Sequence, residues 1–151
     1  MRVFVWILAA LAIGASGPAT AHDYKLGSIT ISHPWARATT IKVTGAFVTL
    51  RNNGTEADRL VSVSSPAAAR VELHVSEMKD GVASMHKLDG IEIGAGKTVT
   101  LKPGSYHIML MGLRFPVKKG FKIPMTLRFE KAGMINIEAD VAGPGAMKPD
   151  H

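Results

Sequence analysis

Turn-forming residues interrupt this chain so often that short strands fit between them better than helices. Glycine and proline account for 15 and 8 of the 151 residues, and the intervening segments are rich in Val, Ile, Thr and Leu. Asn52-Asn53-Gly54 and Lys79-Asp80-Gly81 are typical turn sequences. The pattern predicts strands at Gly27–Ser32, Gly45–Arg51, Arg59–Ser64, Arg70–Ser76, Val82–Leu88, Thr98–Leu101, Tyr106–Met111, Pro124–Phe129 and Ile135–Val141. We therefore expect an all-β fold, an antiparallel β-sandwich or a Greek-key barrel.

One segment permits two interpretations. Ser65 as an N-cap with Pro66 at the first helical position is a typical helix start. The alternation of apolar and polar residues over 71–75 instead indicates a strand. We expect a single helical turn followed by a strand, and that strand directs Glu72 and His74 away from the core.

The N-terminal residues have the pattern of an export signal. Arg2 precedes an apolar run from Val3 to Ile13, and the small-residue site Ala19-Thr20-Ala21 follows. The run is shorter than the roughly 20 residues that a membrane-spanning helix needs. We expect cleavage after Ala21, a bacterial periplasmic location and no membrane span in the mature chain. The expected units are a signal peptide over 1–21, a β-sandwich domain over 22–142 and a flexible tail over 143–151.

The composition excludes some classes of protein and site. The chain has no cysteine, so disulfides and thiolate metal sites are excluded. Removing Arg2 with the signal lowers the formal net charge from +6 to +5. Five basic residues lie close in sequence, and we interpret them as a solvated face more readily than as a docking patch: Lys102, Arg114, Lys118, Lys119 and Lys122. Nucleic-acid binding is not expected, because no aromatic residues alternate with these cations. We expect a monomer.

One predicted strand, Tyr106–Met111, carries metal-binding groups on a single face. Alternation places His107, Met109 and Met111 on the same side. Imidazole nitrogen with thioether sulfur is a donor set suited to Cu(I). The turn at 79–81 returns the chain along the strand of His74, where either Met85 or His86 joins His74, but not both on one face. The residues alone leave two alternatives open: metal ligands or ordinary strand side chains.

The spacing of the donors resembles the motif of the periplasmic Cu(I) chaperones called PCu(A)C, formerly a family of unknown function. The motif is His74-x10-Met85-x21-His107-x-Met109. The matching flanks are His33–Ala38, Gly45–Asn52 and Leu101–Gly112. The resemblance covers nearly all of the mature chain. It implies a cupredoxin-like β-sandwich with a Cu(I) site open to solvent, whose ligands are His74, Met85, His107 and Met109.

The resemblance also implies a function in copper supply without substrate turnover or catalytic residues. Such a protein delivers copper by ligand exchange, toward the CuA centre of cytochrome c oxidase subunit II or a related respiratory copper enzyme. The expected partners are apo copper proteins of the periplasm, including the CuA domain and Sco-type thiol proteins. Auxiliary donors would be Met111, His22, Met147 and His151.

Three alternatives remain at this stage. The α-amine and imidazole of His22 together chelate Cu(II), which fits a copper-resistance or storage protein with a terminal Cu(II) site. The same residue as half of a copper brace fits a copper enzyme. A structural secreted β-sandwich without metal is the third alternative. The remaining methionines in predicted strands, Met125 and Met134, we interpret as packing residues.

Overall fold

The computed structural model describes residues 23–149, and this part of the chain is built from strands and turns without a helix. The strands are β1 Tyr24–Leu26, β2 Ile29–Arg37, β3 Val43–Asn52, β4 Asp58–Ser64, β5 Ala68–Lys79, β6 Val82–Leu88, β7 Ile91–Ile93, β8 Thr98–Thr100, β9 Tyr106–Leu113, β10 Lys122–Phe129 and β11 Gly133–Ala142. The all-β prediction is confirmed. Within 23–149 there is accordingly no helix of the length and apolarity needed to cross a membrane.

The strands form one hydrogen-bonded sheet that curls around a shared core. Its order is β6-β5-β9-β3-β2-β11-β10-β4-β7, with β1 added to β2 and β8 to β3. Apart from the parallel pair β2–β11, every strand pair is antiparallel, so the sheet is mixed. β4 and β5, which are consecutive in the chain but not sheet neighbours, also contact each other. This curling gives the strands that carry the histidines one apolar face and one outer face.

All nine predicted strands are present, and most of them are longer than the patterns indicate. Two three-residue strands, Tyr24–Leu26 and Ile91–Ile93, were not predicted. Three residues are too few for a periodicity to appear, so these strands depend on their neighbours β2 and β4.

The prediction of a helical turn after Ser64 is wrong. Ser65 Oγ accepts a hydrogen bond from the backbone N–H of Ala67 at 3.2 Å, and β5 already begins at Ala68. Pro66 therefore starts a tight turn, because its fixed φ suits a β-turn as well as a helix start. The strand that follows carries His74 as expected.

The hairpin between β5 and β6 has the predicted turn. Lys79 pairs with Val82, and the two loop residues Asp80 and Gly81 have φ of 52° and 77°. Positive φ at both positions defines the type I′ turn, whose twist matches that of the flanking strands. This turn fixes the register that returns Met85 toward His74.

The core consists of the inward-facing residues of the alternating strands. Ile108 and Leu110 of β9 are fully buried, as is Met125 of β10, so the packing role predicted for Met125 is confirmed. The same prediction for Met134 is wrong, because this side chain is 62% exposed. Met134 lies opposite Arg128 near the start of β11, where the alternation turns it outward.

Candidate metal centre

The two motif histidines face each other across a pair of antiparallel strands. Residues 74 of β5 and 107 of β9 are direct register partners, so their side chains project from the same face of the sheet. The ring centroids of His74 and His107 lie 5.7 Å apart, with the ring planes inclined by 54°. Imidazole–metal bonds of about 2 Å place two rings that share an ion within roughly 6 Å of each other. The pair therefore has the spacing of two ligands to one ion.

Each ring has one nitrogen that no protein group satisfies. Nδ1 of His74 and Nε2 of His107 are the only buried side-chain nitrogen or oxygen atoms in residues 23–149 without a hydrogen-bond partner. Buried polar groups elsewhere are paired: Asn52 donates to the carbonyls of Glu56 and Ile93 at 2.7 and 3.0 Å. An unmade hydrogen bond at a buried polar atom costs about 1–3 kcal/mol. Two such atoms on neighbouring rings of adjacent strands fit a site that receives a ligand from outside the chain.

Glu72 determines which nitrogen of His74 is unpaired. The Oε2 atom of Glu72 lies 2.8 Å from Nε2 of His74. Because an ionised carboxylate only accepts, Nε2 carries the proton and Nδ1 keeps its lone pair. The other oxygen of Glu72 is 3.2 Å from Nε of Arg70 and 3.9 Å from Nζ of Lys87. The hydrogen bond from His74 and the charges of Lys87 and Arg70 hold the pKa of Glu72 below its usual value of 4.5.

His107 uses the opposite nitrogen. Its Nδ1 donates to the backbone carbonyl of Ser105 at 3.0 Å, which leaves the lone pair on Nε2. The side chain is buried, and burial lowers the pKa of His107 below 6.5, although the Ser105 carbonyl opposes part of this shift. Electrostatic repulsion from His74 in its protonated form, and from Arg37, lowers the pKa further. This shift favours the neutral imidazole, which is the form that coordinates a metal.

The structure places His107 deeper than the sequence indicated. Only 5% of the residue is exposed, whereas the motif implied a site open to solvent. The β3–β9 register, continued by one residue, puts Phe47 beside His107. Phe47 packs on Trp35, with ring centroids 4.5 Å apart, and the Arg37 guanidinium lies 5.8 Å from the Phe47 ring. This aromatic cluster covers the outer face on the β9 side.

The two motif methionines lie on either side of His74. Met109 is opposite Glu72 in the β5–β9 register, and Met85 is opposite Ser76 in the β5–β6 register. Each methionine is thus diagonal to His74 on the same face, and diagonal neighbours are about 7–8 Å apart, within reach of long side chains. His107, Met109, His74 and Met85 therefore occupy one patch of the outer face.

Of the other candidate donors, Met111 and Met147 make contacts with arginines. Met111 shares the face of Met109, and Arg70 Nη2 lies 3.7 Å from its sulfur. Met147 lies near the C-terminus, where Arg37 donates to its sulfur at 3.2 Å and to the Ala146 carbonyl at 2.8 Å. A cation beside each sulfur makes both weaker candidates for a cationic metal than Met109.

His86 lies on the other face of the hairpin, as its alternation indicated. It pairs with Val75 in the register, and its Nε2 is 3.3 Å from Ser84 Oγ and 3.7 Å from Glu77 Oε2. Met85, and not His86, therefore accompanies His74. The auxiliary candidates His22 and His151, together with the predicted cleavage site after Ala21, lie outside the described residues.

The donor set follows from what the described residues gather. No group of three or more His, Asp or Glu side chains in residues 23–149 is arranged to hold a metal ion. The registers instead bring two imidazoles and two thioethers onto this face, a set of soft and borderline neutral donors.

Two contacts of the site were missed from the sequence. The contact between Glu72 and His74 had a signal, since residues two apart on a strand share a face. The Ser105 carbonyl had none, because the backbone at a strand end becomes an acceptor only through the local turn, in which Ser105 N–H also donates to the Lys102 carbonyl at 3.0 Å.

Comparison with known families places the chain. The model of the family described as LpqE-like matches residues 29–141, which is most of the described domain. The chain belongs to the LpqE-like family. A curated relative of this LpqE-like protein is Lxx21020 of Leifsonia xyli subsp. xyli, which is 36% identical over 130 residues, covering 81% of this chain and 78% of the relative.

Solved structures similar to this LpqE-like protein are PCuAC domains, which confirms the resemblance and the cupredoxin-like sandwich. The apo PCuAC domain of PmoF2 is 32% identical with a TM-score of 0.72, covering 85% of this chain and all of that domain. Its copper-bound form is 31% identical with a TM-score of 0.71, covering 82% of this chain and 99% of that domain. The Cu(I) form of DR1885 from Deinococcus radiodurans is 28% identical with a TM-score of 0.61, covering 82% and 80%.

Proposed function

We propose that this protein binds one Cu(I) ion through His74, Met85, His107 and Met109 and passes it to another copper protein. The observation that carries the proposal is the pair of buried imidazole nitrogens without partners, His74 Nδ1 and His107 Nε2. The copper-bound relatives of the family support the choice of metal. The thioethers beside the imidazoles favour the cuprous state.

The chemistry of the donors suits delivery better than permanent retention. Imidazole and thioether ligands are neutral, so they hold Cu(I) without the charge attraction that thiolates provide. A thiolate-bearing acceptor therefore wins the exchange once its sulfur reaches the ion. Met85 is half exposed, which gives such a donor a point of entry. No redox change and no covalent intermediate is part of the proposed transfer.

The proposed setting is the bacterial periplasm. A signal peptide over 1–21 would be removed after Ala21, leaving the sandwich over 22–142 and the tail over 143–151. The proposed recipients are apo copper proteins of that compartment, namely the CuA domain of cytochrome c oxidase subunit II or a related respiratory copper enzyme. Sco-type thiol proteins are the proposed additional partners. Thioethers suit an oxidising compartment, where free thiols form disulfides.

An anaerobic Cu(I) competition titration tests the binding site. We expect one Cu(I) per chain, bound more weakly by Met85→Ala and by Met109→Ala, while Met134→Ala binds like the unmodified protein. Met134 is the matched control because it is an exposed methionine on another part of the sheet. Equal affinity in all four proteins would exclude these thioethers as ligands.

Transfer is tested separately. The copper-loaded protein is incubated anaerobically with a reduced apo CuA domain, with and without a Sco-type thiol protein. The reductant is then removed, the acceptor is oxidised with ferricyanide, and the CuA absorbance is measured. Appearance of the CuA spectrum supports delivery. Retention of copper under both conditions would support storage or scavenging in place of delivery.

A further inference from the structure

Beyond the four proposed ligands, the end of the β5–β6 hairpin presents another thioether. The last register pair that joins β5 to β9 is Val75–Tyr106, and the hairpin continues past it through Ser76 to the turn at Asp80-Gly81. Met78 lies on this projecting part and is 74% exposed. Among the other methionines, Met125 is completely buried, whereas Met134 and Met147 are 62% and 66% exposed on other parts of the structure.

Met78 is on the same face as the proposed site. It lies four residues after His74 on β5, so the alternation directs both side chains to one side. Its register partner is Ala83, and Met85 follows Ala83 by two residues on β6. Met78 and Met85 are therefore diagonal neighbours, a relation that long side chains bridge.

The donors on this face form a series from the exterior to the interior. Met78 and Met85 are 74% and 50% exposed, the side chain of His74 is 15% exposed, and His107 is buried. Neighbours in the series are diagonal or direct register partners across adjacent strands. Long side chains bridge such neighbours, so each donor in the series is adjacent to the next.

We propose that Met78 and Met85 form an outer two-thioether site that captures Cu(I) from solvent-exposed donors and passes it to the inner histidines. This inference rests on the proposed function of the inner site and adds a route into and out of it. Met85 belongs to both positions, so Cu(I) moves inward by exchanging the sulfur of Met78 for the imidazoles while Met85 stays bound. Copper remains Cu(I) throughout, and the exchanged ligands are all neutral.

The equilibrium test is a titration with Ag(I), a redox-inert analogue of Cu(I). The 13C-methyl NMR signals of the methionines identify which sulfurs bind the ion. We expect the first equivalent to shift the signals of Met85 and Met109. A further equivalent should then shift Met78, while Met134 stays in place. Equal responses of Met78 and Met134, or no response of Met78, would overturn the outer site. No response of Met85 and Met109 to the first equivalent would instead contradict the inner site.

The kinetic test uses Met78→Leu, which keeps the apolar volume and removes the sulfur. Stopped-flow loading from a Cu(I)–chelator complex should become several-fold slower, with copper release slowed by the same factor and the equilibrium affinity unchanged. Met134→Leu should load at the unmodified rate. If Met78→Leu also loads at that rate, Met78 is at most an apolar contact and the outer site is wrong.

Discussion

At the residue scale, the two histidines leave different ring nitrogens available for a metal because each donates a hydrogen bond to a different acceptor. The Glu72 carboxylate accepts a hydrogen bond from Nε2–H of His74, and the Ser105 backbone carbonyl accepts one from Nδ1–H of His107. Partners of this kind fix the tautomer and the ring orientation of histidines that bind metals. Glu72 is in turn held by Arg70 and Lys87, so the orientation of His74 depends on charges from two strands.

Replacing Glu72 by Gln should loosen this arrangement. The neutral amide is a weaker acceptor than the carboxylate, so long-range 1H–15N NMR should find His74 as a mixture of two tautomers, where the unmodified protein has only the Nε2–H form. We expect Cu(I) affinity to fall by about 10-fold, the lower end of the usual effect of such partners.

The control for this substitution is Glu77→Gln. Glu77 lies 3.7 Å from His86 on the other face of the same hairpin, and both side chains are largely exposed. The tautomer of His74 and the Cu(I) affinity should be unaffected in Glu77→Gln. A His74 that keeps a single tautomer in Glu72→Gln would contradict the role given to Glu72.

At the scale of elements, β9 supplies two proposed ligands and its end is set by a glycine. Gly112 follows Met111 with a φ of 65°. A Cβ at this position would lie 2.8 Å from the Cβ of Ala69 on β5. Any side chain here is therefore both strained in its backbone and too close to the strand that carries His74.

Gly112→Ala should destabilise the protein more than Gly81→Ala. Both glycines have positive φ, which costs an L-residue about 1–2 kcal/mol, but a Cβ on Gly81 meets no atom within 4 Å. The excess cost of Gly112→Ala therefore measures the clash with Ala69. Urea unfolding of the two variants provides the comparison, and equal losses would mean that β5 and β9 separate freely at this point.

At the scale of the whole molecule, the buried histidine makes stability depend on pH. Burial lowers the pKa of His107 in the folded protein below the ordinary value of 6.5. Between the folded-state pKa and 6.5, the unfolded chain therefore binds the proton more readily than the folded protein. As a result, the free energy of unfolding decreases as pH falls below about 6.5. The lowered pKa of Glu72 acts in the same direction at lower pH, since its stabilising contribution is lost as pH falls through its folded pKa.

The metal-free protein should therefore unfold at lower urea concentration at pH 5.5 than at pH 7.5. His107→Gln should reduce this difference, because the variant no longer has the imidazole whose proton uptake is suppressed by folding. The measurement is the urea midpoint of both proteins over this pH range. An identical pH dependence in the two would show that His107 titrates alike in the folded and unfolded states.

The shared core makes the domain a single cooperative unit. Leu127 of β10 is fully buried between β11 and β4, so Leu127→Ala should cost about 2–5 kcal/mol. Thr126→Ala, on the outer face of the same strand, should cost far less. Circular dichroism and tryptophan fluorescence should report one common urea midpoint for each variant. Separate midpoints for the two probes would indicate that the sheet melts in parts.

The sequence by itself determined the strand class and the position of the hairpin turn between β5 and β6, and it predicted the set of donors. Period-two alternation and turn residues are local properties, so they are readable without coordinates, and alternation alone put His107 and Met109 on one face. The spacing of the four donors, a property of the sequence alone, pointed to the family. The short strands β1 and β7 and the tight turn after Ser65 were not readable, because their conformations depend on neighbouring strands and on side-chain–backbone contacts.

Only the tertiary structure decided which strands became neighbours, and with that the form of the site. The β5–β9 pairing joins residues 74 and 107, which are far apart in the chain, and no local pattern specifies that register. The same pairing left one nitrogen of each imidazole without a partner. The β3–β9 pairing brought Phe47, with Trp35 packed on it, to the position beside His107. These properties arise because hydrogen-bond partners and shielding neighbours come from distant strands.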